Sequence, residues 1–524
     1  MKKKLALLMG LLVATSACSF AACGEKDAKN YKITIACDVE TGETVVMKKL
    51  VAEYEAMYPD RKVEISSMAQ GFQEYMNTIA QSRDMSAQII WTTDSLHGAW
   101  DDYYVDLRPY YEQSAETDYS LYYETMLDTT GTNGKMKPTK NYKGEFRSDD
   151  LDTVDGKSGK RSEYGMYYAP RDYNKPAILC NMHAFAKLDT EYEKTYKAEN
   201  GITQMPESYQ STTARVEEII AGVNWDEMAD LYAFAKEVAT RIYYLTVYHD
   251  EAKDWESYRA LNLFLDWEPT YTTVMYDLGV DLFAENGEIQ IAQYEEQLKT
   301  IRDGLVPSAT DEDKKIAPYL HSTHGDEEFS KGTLLMRVCS RPVIVGYGNT
   351  FSAIYGTTGL QTLKIPTEYV AAGNSGYAIS RVWENKGVKV NGVYKSYTDL
   401  SWDFIKFIIT KEGQEVAGAT GLNIPVLKSL YDAESNGGVE PAWRQVANFA
   451  SMDHDAWVAG KELKQDLFNI YQHKKRPQLR NLVSFFFMDL QKQSTEKDYL
   501  KSIIDSTTKK YNKDNGAANL VLGK

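Results

Sequence analysis

The chain is poor in cysteine, with five in 524 residues. Cys18 and Cys23 lie near the N-terminus, which leaves Cys37, Cys180 and Cys339 for the rest. Three widely spaced thiols cannot build a disulfide scaffold; one bridge would still leave a thiol over. Long apolar runs are also scarce: after Leu5 to Val13, no stretch approaches the ~20 apolar residues of a membrane-spanning helix. Positive charge is in the minority. Against 75 Asp and Glu stand 59 Lys and Arg, a formal net charge of −16, which argues against nucleic acid as a partner and gives no general attraction to an anionic membrane. Enzyme motifs are missing too. There is no His-Glu-x-x-His, no Gly-x-Ser-x-Gly and no Walker loop, and Gly346-x-Gly348 lacks the third glycine of a dinucleotide loop. His321 and His324 with Asp326, Glu327 and Glu328 read as a polar loop, and Asp311-Glu312-Asp313 lacks the spacing of a calcium loop. No catalytic residue, cofactor or metal ligand is expected.

What is present begins at residue 1. Lys2, Lys3 and Lys4 precede the short apolar run Leu5 to Val13, and small residues then lead to cysteines. This is the layout of an export signal. Small residues before a Cys resemble the lipobox of bacterial lipoproteins, in which the Cys takes a diacylglycerol and becomes the new N-terminus. Thr15-Ser16-Ala17-Cys18 and Phe20-Ala21-Ala22-Cys23 compete; Cys23 is favoured, because Gly24-Glu25-Lys26-Asp27 makes a small, then polar, tether. An ordinary signal cut after an Ala is the third possibility. Two or more acyl chains make a lasting anchor, at about 0.8 kcal/mol per buried CH₂.

Periodicity supplies the first unit. Tyr31 to Ile35 alternates as a strand, and Glu43 to Tyr58 carries Val46, Leu50, Tyr54 and Met57 at helical spacing. Lys62 to Ser66 reads as a strand, Phe72 to Ser82 as a helix and Ala87 to Trp91 as a third strand. Alternating strands and helices imply a parallel α/β sheet whose strand carboxyl ends face a ligand. Residues 129–163 read as a polar surface excursion, Asn224 to Val238 and Asp399 to Ile409 as amphipathic helices, and the tail from Phe449 as largely helical with a break at Arg476-Pro477.

Several segments together resemble the sugar-binding, maltose-binding-protein-like group of extracellular solute-binding proteins of ABC importers. They are YKITIACDVE with YEAMYPDRKVEI, YVDLRPYYEQ, YYAPRDYNKPAILCNMHAFAKL, NWDEMADLYAFAKEV, FSKGTLLM, GNSGYAIS and SWDFIKFIITKEGQEVAGATGLNIPV. Each is weak alone; order and spacing make the set specific. The resemblance implies an α/β, two-lobed, periplasmic-binding-protein-like fold with a ligand cleft between the lobes. The expected division is signal peptide 1–22, lipidated Cys and tether 23–30, lobe 1 over 31–168, lobe 2 over 169–369, a return to lobe 1 over 370–425, and a helical part over 426–524 that is mostly lobe 2. The implied partners are a carbohydrate, an oligosaccharide by expectation, and the permease subunits of an ABC transporter. The expected state is a lipid-anchored monomer on the extracytoplasmic face of the cell membrane. A secreted lipoprotein glycan hydrolase and a surface adhesion or sensor subunit are the alternatives.

Sugars offer apolar C–H faces to aromatic rings and hydroxyl rims to charged and amide side chains. Strand ends of the first unit put forward Asp38, Glu40, Gln70, Trp91, Thr92 and Asp94 as ligand-binding residues. The expected crossing between lobes adds Arg171 and Tyr173, and the second lobe adds Trp267 and Glu268. After FSKGTLLM the family often continues to Gly-Pro-Trp, whereas this chain has Ser340-Arg341-Pro342. One aromatic platform is therefore missing, and Arg341 is a candidate partner for an acidic sugar.

Overall fold

The structure, a computed structural model, describes residues 27–38, 43–68, 71–82, 86–93, 103–122, 167–265, 267–280, 291–305, 325–373, 375–446, 449, 452–462, 485–487, 489–490 and 498–519. The first unit is β1 (Tyr31–Cys37), α1 (Glu43–Met57), β2 (Arg61–Ser67), α2 (Gly71–Ser82) and β3 (Ile89–Thr93). Then come β4 (Ala169–Pro170), β5 (Asp172–Tyr173), β6 (Ala177–Asn181), α3 (Met182–Asn200), α4 (Thr212–Ile220), α5 (Met228–Tyr248), β7 (Arg259–Asn262), α6 (Glu268–Asp277) and α7 (Glu295–Leu305). The chain continues through α8 (Asp326–Lys331), β8 (Leu334–Cys339), α9 (Val343–Tyr355), β9 (Leu360–Leu363), β10 (Tyr369–Val370) and β11 (Ser375–Ile379). It ends with β12 (Gly387–Val390), β13 (Val393–Ser396), α10 (Tyr397–Ile409), α11 (Lys411–Gly418), β14 (Ile424–Pro425), β15 (Lys461–Glu462) and α12 (Tyr499–Asn519).

Two sheets organise these elements. The first has the order β2-β1-β3-β11-β4, with β1 parallel to β2 and β3, and β11 antiparallel to both of its neighbours. The second has the order β7-β8-β6-β9. The first unit thus extends beyond the expected parallel sheet by two strands, the reversed β11, delivered from the far lobe, and β4 beyond it. Gly376 makes that insertion possible: a Cβ there would lie 2.1 Å from the Ala169 carbonyl oxygen. Helices cover the sheets by burying one stripe each. In α10, for example, Leu400, Phe404, Ile405, Ile408 and Ile409 are buried, and Ser396 caps the N-terminus by accepting from the Asp399 N–H.

The chain passes between the sheets at 171–176 and again through 364–373. These segments run side by side: Asn174 and Gly373 exchange both backbone hydrogen bonds, at 2.8 and 2.7 Å. The sheet registers fix what faces this junction. Carboxyl ends of β1, β2 and β3 approach it from lobe 1, because Thr93 pairs with Ser375 at the start of β11. In lobe 2, Ala177 pairs with Cys339 and Ile178 with Leu363, so β8 and β9 also end there, as does β7, parallel to β8.

Two apolar clusters hold the body together. One contains the lobe 1 core and continues through Leu430, Trp443, Met452 and Trp457 to the lobe 2 face bearing Ala177, Leu179, Leu334 and Cys339. The other covers the opposite face of lobe 2 with α3, α5 and α6 and the first turns of α12. Within the expected helical tail, the described part of 449–462 is made of short 3-10 turns and β15, whereas α12 is a helix. The excursion at 129–163 lies outside the described residues, as do residues 1–26 with Cys18 and Cys23. Among the described residues, no helix is long and apolar enough to cross a membrane.

Candidate functional site

The junction of the two sheets is the candidate site, and its floor is a buried polar network. Arg171 leaves β4 inward and is 2 % exposed. One nitrogen, Nη1, donates to Glu43 at the start of α1 and to Tyr377 Oη (2.7 Å); the other, Nη2, donates to Asp172 and to Ser375 Oγ (3.1 Å). Tyr377 Oη donates in turn to Glu43 Oε1 (2.6 Å), while Asp172 accepts from Asn423 Nδ2 (2.7 Å) and from the Ser375 N–H (2.9 Å). Burial is the largest influence on Arg171 and opposes its charge. Glu43, Tyr377 and Asp172 outweigh it and hold the pKa well above the ordinary value. Burial pushes the Tyr377 hydroxyl in the same direction, far above the phenol range. Two carboxylates on one guanidinium make a charge-assisted cluster whose members come from α1, the first crossing, β11 and the segment before β14. It ties both crossing segments to lobe 1. Sequence reasoning singled out Arg171 for a ligand; in the structure its Nη donors hold these partners. Glu43, Asp172, Tyr377 and Asn423 were missed, although Ser375 and Tyr377 sit within GNSGYAIS.

The second crossing anchor is Lys175. Its ammonium donates to the carbonyls of Val458, Ala459 and Gly460, the last at 2.6 Å, just before β15 pairs with β10. Tyr173 is buried on β5 in register with Ile424, and the Lys175 ammonium lies 5.6 Å from its ring centroid.

From lobe 1, Asp38 follows β1 half-buried at the junction. Trp91 and Thr92 lie on β3 next to β11, at 5 % and 0 % exposure. The Trp91 indole N–H and the Thr92 hydroxyl are buried and have no partner among the described residues. Glu40, Gln70 and Asp94 lie outside the described residues. From lobe 2, Trp267 is half-buried where the chain enters α6, and Glu268 is the first residue of that helix. The Trp267 ring borders the second crossing: a Cβ on Gly373 would meet its Cζ2 at 3.9 Å and Pro269 Cγ at 3.1 Å.

Trp267 has a partner that the sequence did not announce. Phe264 lies 5.9 Å away, ring centroid to centroid, at 32°. Its backbone sits at φ +52°, an unusual conformation for a side chain of this size, braced by its N–H donating to Asn262 Oδ1 (2.9 Å). The Arg337 guanidinium stands 5.0 Å from the Phe264 centroid and is paired with Asp326. In the apolar run LNLFLDW, Phe264 reads as strand interior, so nothing in the pattern marks its turn outward.

Arg341 follows β8 but turns into the core, fully buried. It donates to the carbonyls of Gly421 (3.2 Å) and Trp443 (2.6 Å) and contacts His454 Nδ1 (3.3 Å). Burial, then the nearby Arg444 charge, lowers its pKa to about 9. The group joins three stretches of backbone. Among the described residues, no cluster of three or more His, Cys, Asp or Glu side chains is arranged to hold a metal.

Two sheets, paired crossings and strand ends converging from both sides decide the architecture. This is the fold of the solute-binding proteins of ABC importers. The chain is similar to the GacH receptor of Streptomyces glaucescens, solved unliganded and with acarbose, at 14 % identity and TM-score 0.57, covering 93 % of this chain and 98 % of that one. The ABC substrate-binding protein Lmo0181 from Listeria monocytogenes, in complex with cycloalternan, matches at 13 % identity and TM-score 0.54 over 93 % and 100 % of the two chains. Maltose-bound MalE3 of T. maritima matches at 12 % identity and 0.53 over 91 % and 99 %. The first of these neighbours is named as a receptor and the second as a substrate-binding protein. No family model and no curated protein matches the chain.

Proposed function

We propose that the protein is a lipid-anchored extracytoplasmic receptor that captures a carbohydrate, an oligosaccharide by preference, and delivers it to an ABC permease. The observation that carries this reading is the half-buried ring pair Phe264 and Trp267 beside the second crossing, where a Cβ on Gly373 would meet Trp267 Cζ2 at 3.9 Å. A pyranose offers a C–H face to these rings, and Trp91 and Thr92 on β3 are proposed as its contacts from lobe 1. Asp38, Glu40, Gln70, Asp94 and Glu268 belong to the same proposed rim. Arg171, Tyr173 and Arg341 are assigned to shape the junction from beneath. Sugars bound by three structural neighbours support the ligand class. The proposed division is lobe 1 over 31–168, lobe 2 over 169–369, a return to lobe 1 over 370–425 and a mostly lobe 2 part over 426–524. Cys23, or in its place Cys18, is the anchor.

The test is a glycan panel offered to the chain without its first 23 residues. Tryptophan fluorescence and thermal shift should respond to an oligosaccharide, with no product by chromatography. Turnover would establish the hydrolase reading instead, and silence across linear and cyclic glucans would reject the ligand class.

A further inference from the structure

The end of lobe 1 opposite the junction carries a feature that capture does not use. β12 and β13 form a hairpin closed by Asn391-Gly392, at φ +49° and +82°, a two-residue turn of the type that Asn-Gly favours. Beside the turn, Val390 is buried in the core, so the hairpin end is seated on lobe 1. Its outer strand is open to solvent: Val393, opposite Val390, and Tyr394, whose ring lies over Gly387, are 56 % and 55 % exposed. Around it lie Lys386 and Lys29, both exposed, with Lys389 and Lys395 half-buried, in a protein whose overall charge is −16; the Lys386 ammonium stands 4.9 Å from the Trp383 ring centroid and that of Lys395 3.9 Å from Asp403 Oδ2. Lys32, one strand away, is paired with Glu64.

The beginning of the described chain is pinned to this hairpin. The Ala28 N–H donates to the Lys389 carbonyl (2.9 Å), and the Gly392 N–H donates to Asp27 Oδ2 (3.1 Å). Tyr31 Oη donates to the Val393 carbonyl (3.1 Å). Asp27 lies four positions after Cys23, and a fully extended chain covers at most ~14 Å over that span. A diacylglycerol on Cys23 would therefore keep Asp27, and the hairpin turn bonded to it, within about 14 Å of the lipidated residue.

We propose that the β12–β13 hairpin is a membrane-contacting element that rests on anionic phospholipid headgroups. Tyr394 and Val393 enter the interface, where amphipathic rings are favoured, and the lysines face the phosphates. Within a Debye length of ~10 Å the local charge governs, so the acidic remainder of the protein does not cancel the attraction. The proposal rests on the Cys23 anchor of the proposed function.

The test uses the lipid-modified protein in vesicles of phosphatidylcholine and phosphatidylglycerol. Cys37, Cys180 and Cys339 are buried, so an introduced surface thiol takes a fluorescent probe selectively. Tyr394→Cys and, as a second position, Val393→Cys are compared with Ile354→Cys, which is 60 % exposed on lobe 2. Headgroup-nitroxide lipid should remove most of the emission at 394 and 393 and leave that at 354 unchanged. Equal emission at all three positions, with Cys23 shown by mass spectrometry to carry the lipid, overturns the proposal and spares the anchor. A lipid on Cys18, or none, removes the short reach and overturns it at its premise. A probe at 394 already shielded without vesicles assigns the hairpin to a second copy of the chain instead.

Discussion

Replacing Arg171 by Met tests whether the buried network holds the lobes in register. Met keeps most of the volume and removes the guanidinium. Glu43 and Asp172, at 2 % and 1 % exposure, then lose their shared cation. Breaking a buried pair by deleting one partner costs roughly 3–5 kcal/mol. The presence of two carboxylates on one cation places the expectation at the upper end. Urea unfolding followed by far-UV dichroism should show a lower midpoint with an unchanged slope. Glu43→Gln in both backgrounds completes a cycle, with an expected coupling of about 1–3 kcal/mol. A loss below about 1 kcal/mol for Arg171→Met would mean that packing alone holds the crossings, and the structural role given to the network would fail.

Three further outcomes follow from the geometry. Gly376→Ala drives a methyl into the Ala169 carbonyl and should cost about 1–3 kcal/mol or more by thermal unfolding; a neutral result would show that β11 and β4 are not in contact there. Trp267→Ala should weaken oligosaccharide binding about tenfold at a melting temperature near the parent's, while the more deeply buried Trp91→Ala should lose roughly 3–5 kcal/mol of stability as well; calorimetry and melting curves for the pair separate these effects. Burial, then Arg341 and Arg444, lowers His454 from 6.5 to about 4, so the folded state favours the neutral ring. That stabilisation is present above pH 6.5 and is lost as pH falls towards 4, by no more than about 3 kcal/mol. His454→Asn should flatten the acid limb of thermal stability over that range; parallel limbs would contradict it.

The first βαβαβ unit was legible because local rules and tertiary context agree there. Expected strands at 31–35 and 62–66 appear at Tyr31–Cys37 and Arg61–Ser67, and the helices at 43–58 and 72–82 appear as Glu43–Met57 and Gly71–Ser82. The helix at 224–238 starts later and runs further, Met228–Tyr248, because Glu227 and Asp230 cap it reciprocally and leave Trp225 to donate to the Lys364 carbonyl from outside. The tail was harder. Between 428 and 457 its aromatic residues serve a core shared with distant strands, so their spacing records no helical face. For the site, residue type proved more legible than role. Arg171 and Arg341 carry the charge expected of ligand-binding groups, yet their partners, Glu43 and Gly421, come from positions 128 and 80 residues away in sequence. No local pattern encodes such pairings. Phe264 was hidden for another reason, since a positive φ leaves no trace in an apolar run.

β1 also has a polarity with a practical consequence. Its first residue lies beside the pinned N-terminal segment and its last beside the junction, about 20 Å apart at strand rise. Spacer length and capture chemistry are therefore written at opposite ends of one rigid rod. On the proposed anchor at Cys23 and the proposed transport role, residues added between 23 and 27 should enlarge the volume the protein can sweep and change the frequency of hand-over, with the dissociation constant left alone. Changes after Cys37 should do the reverse.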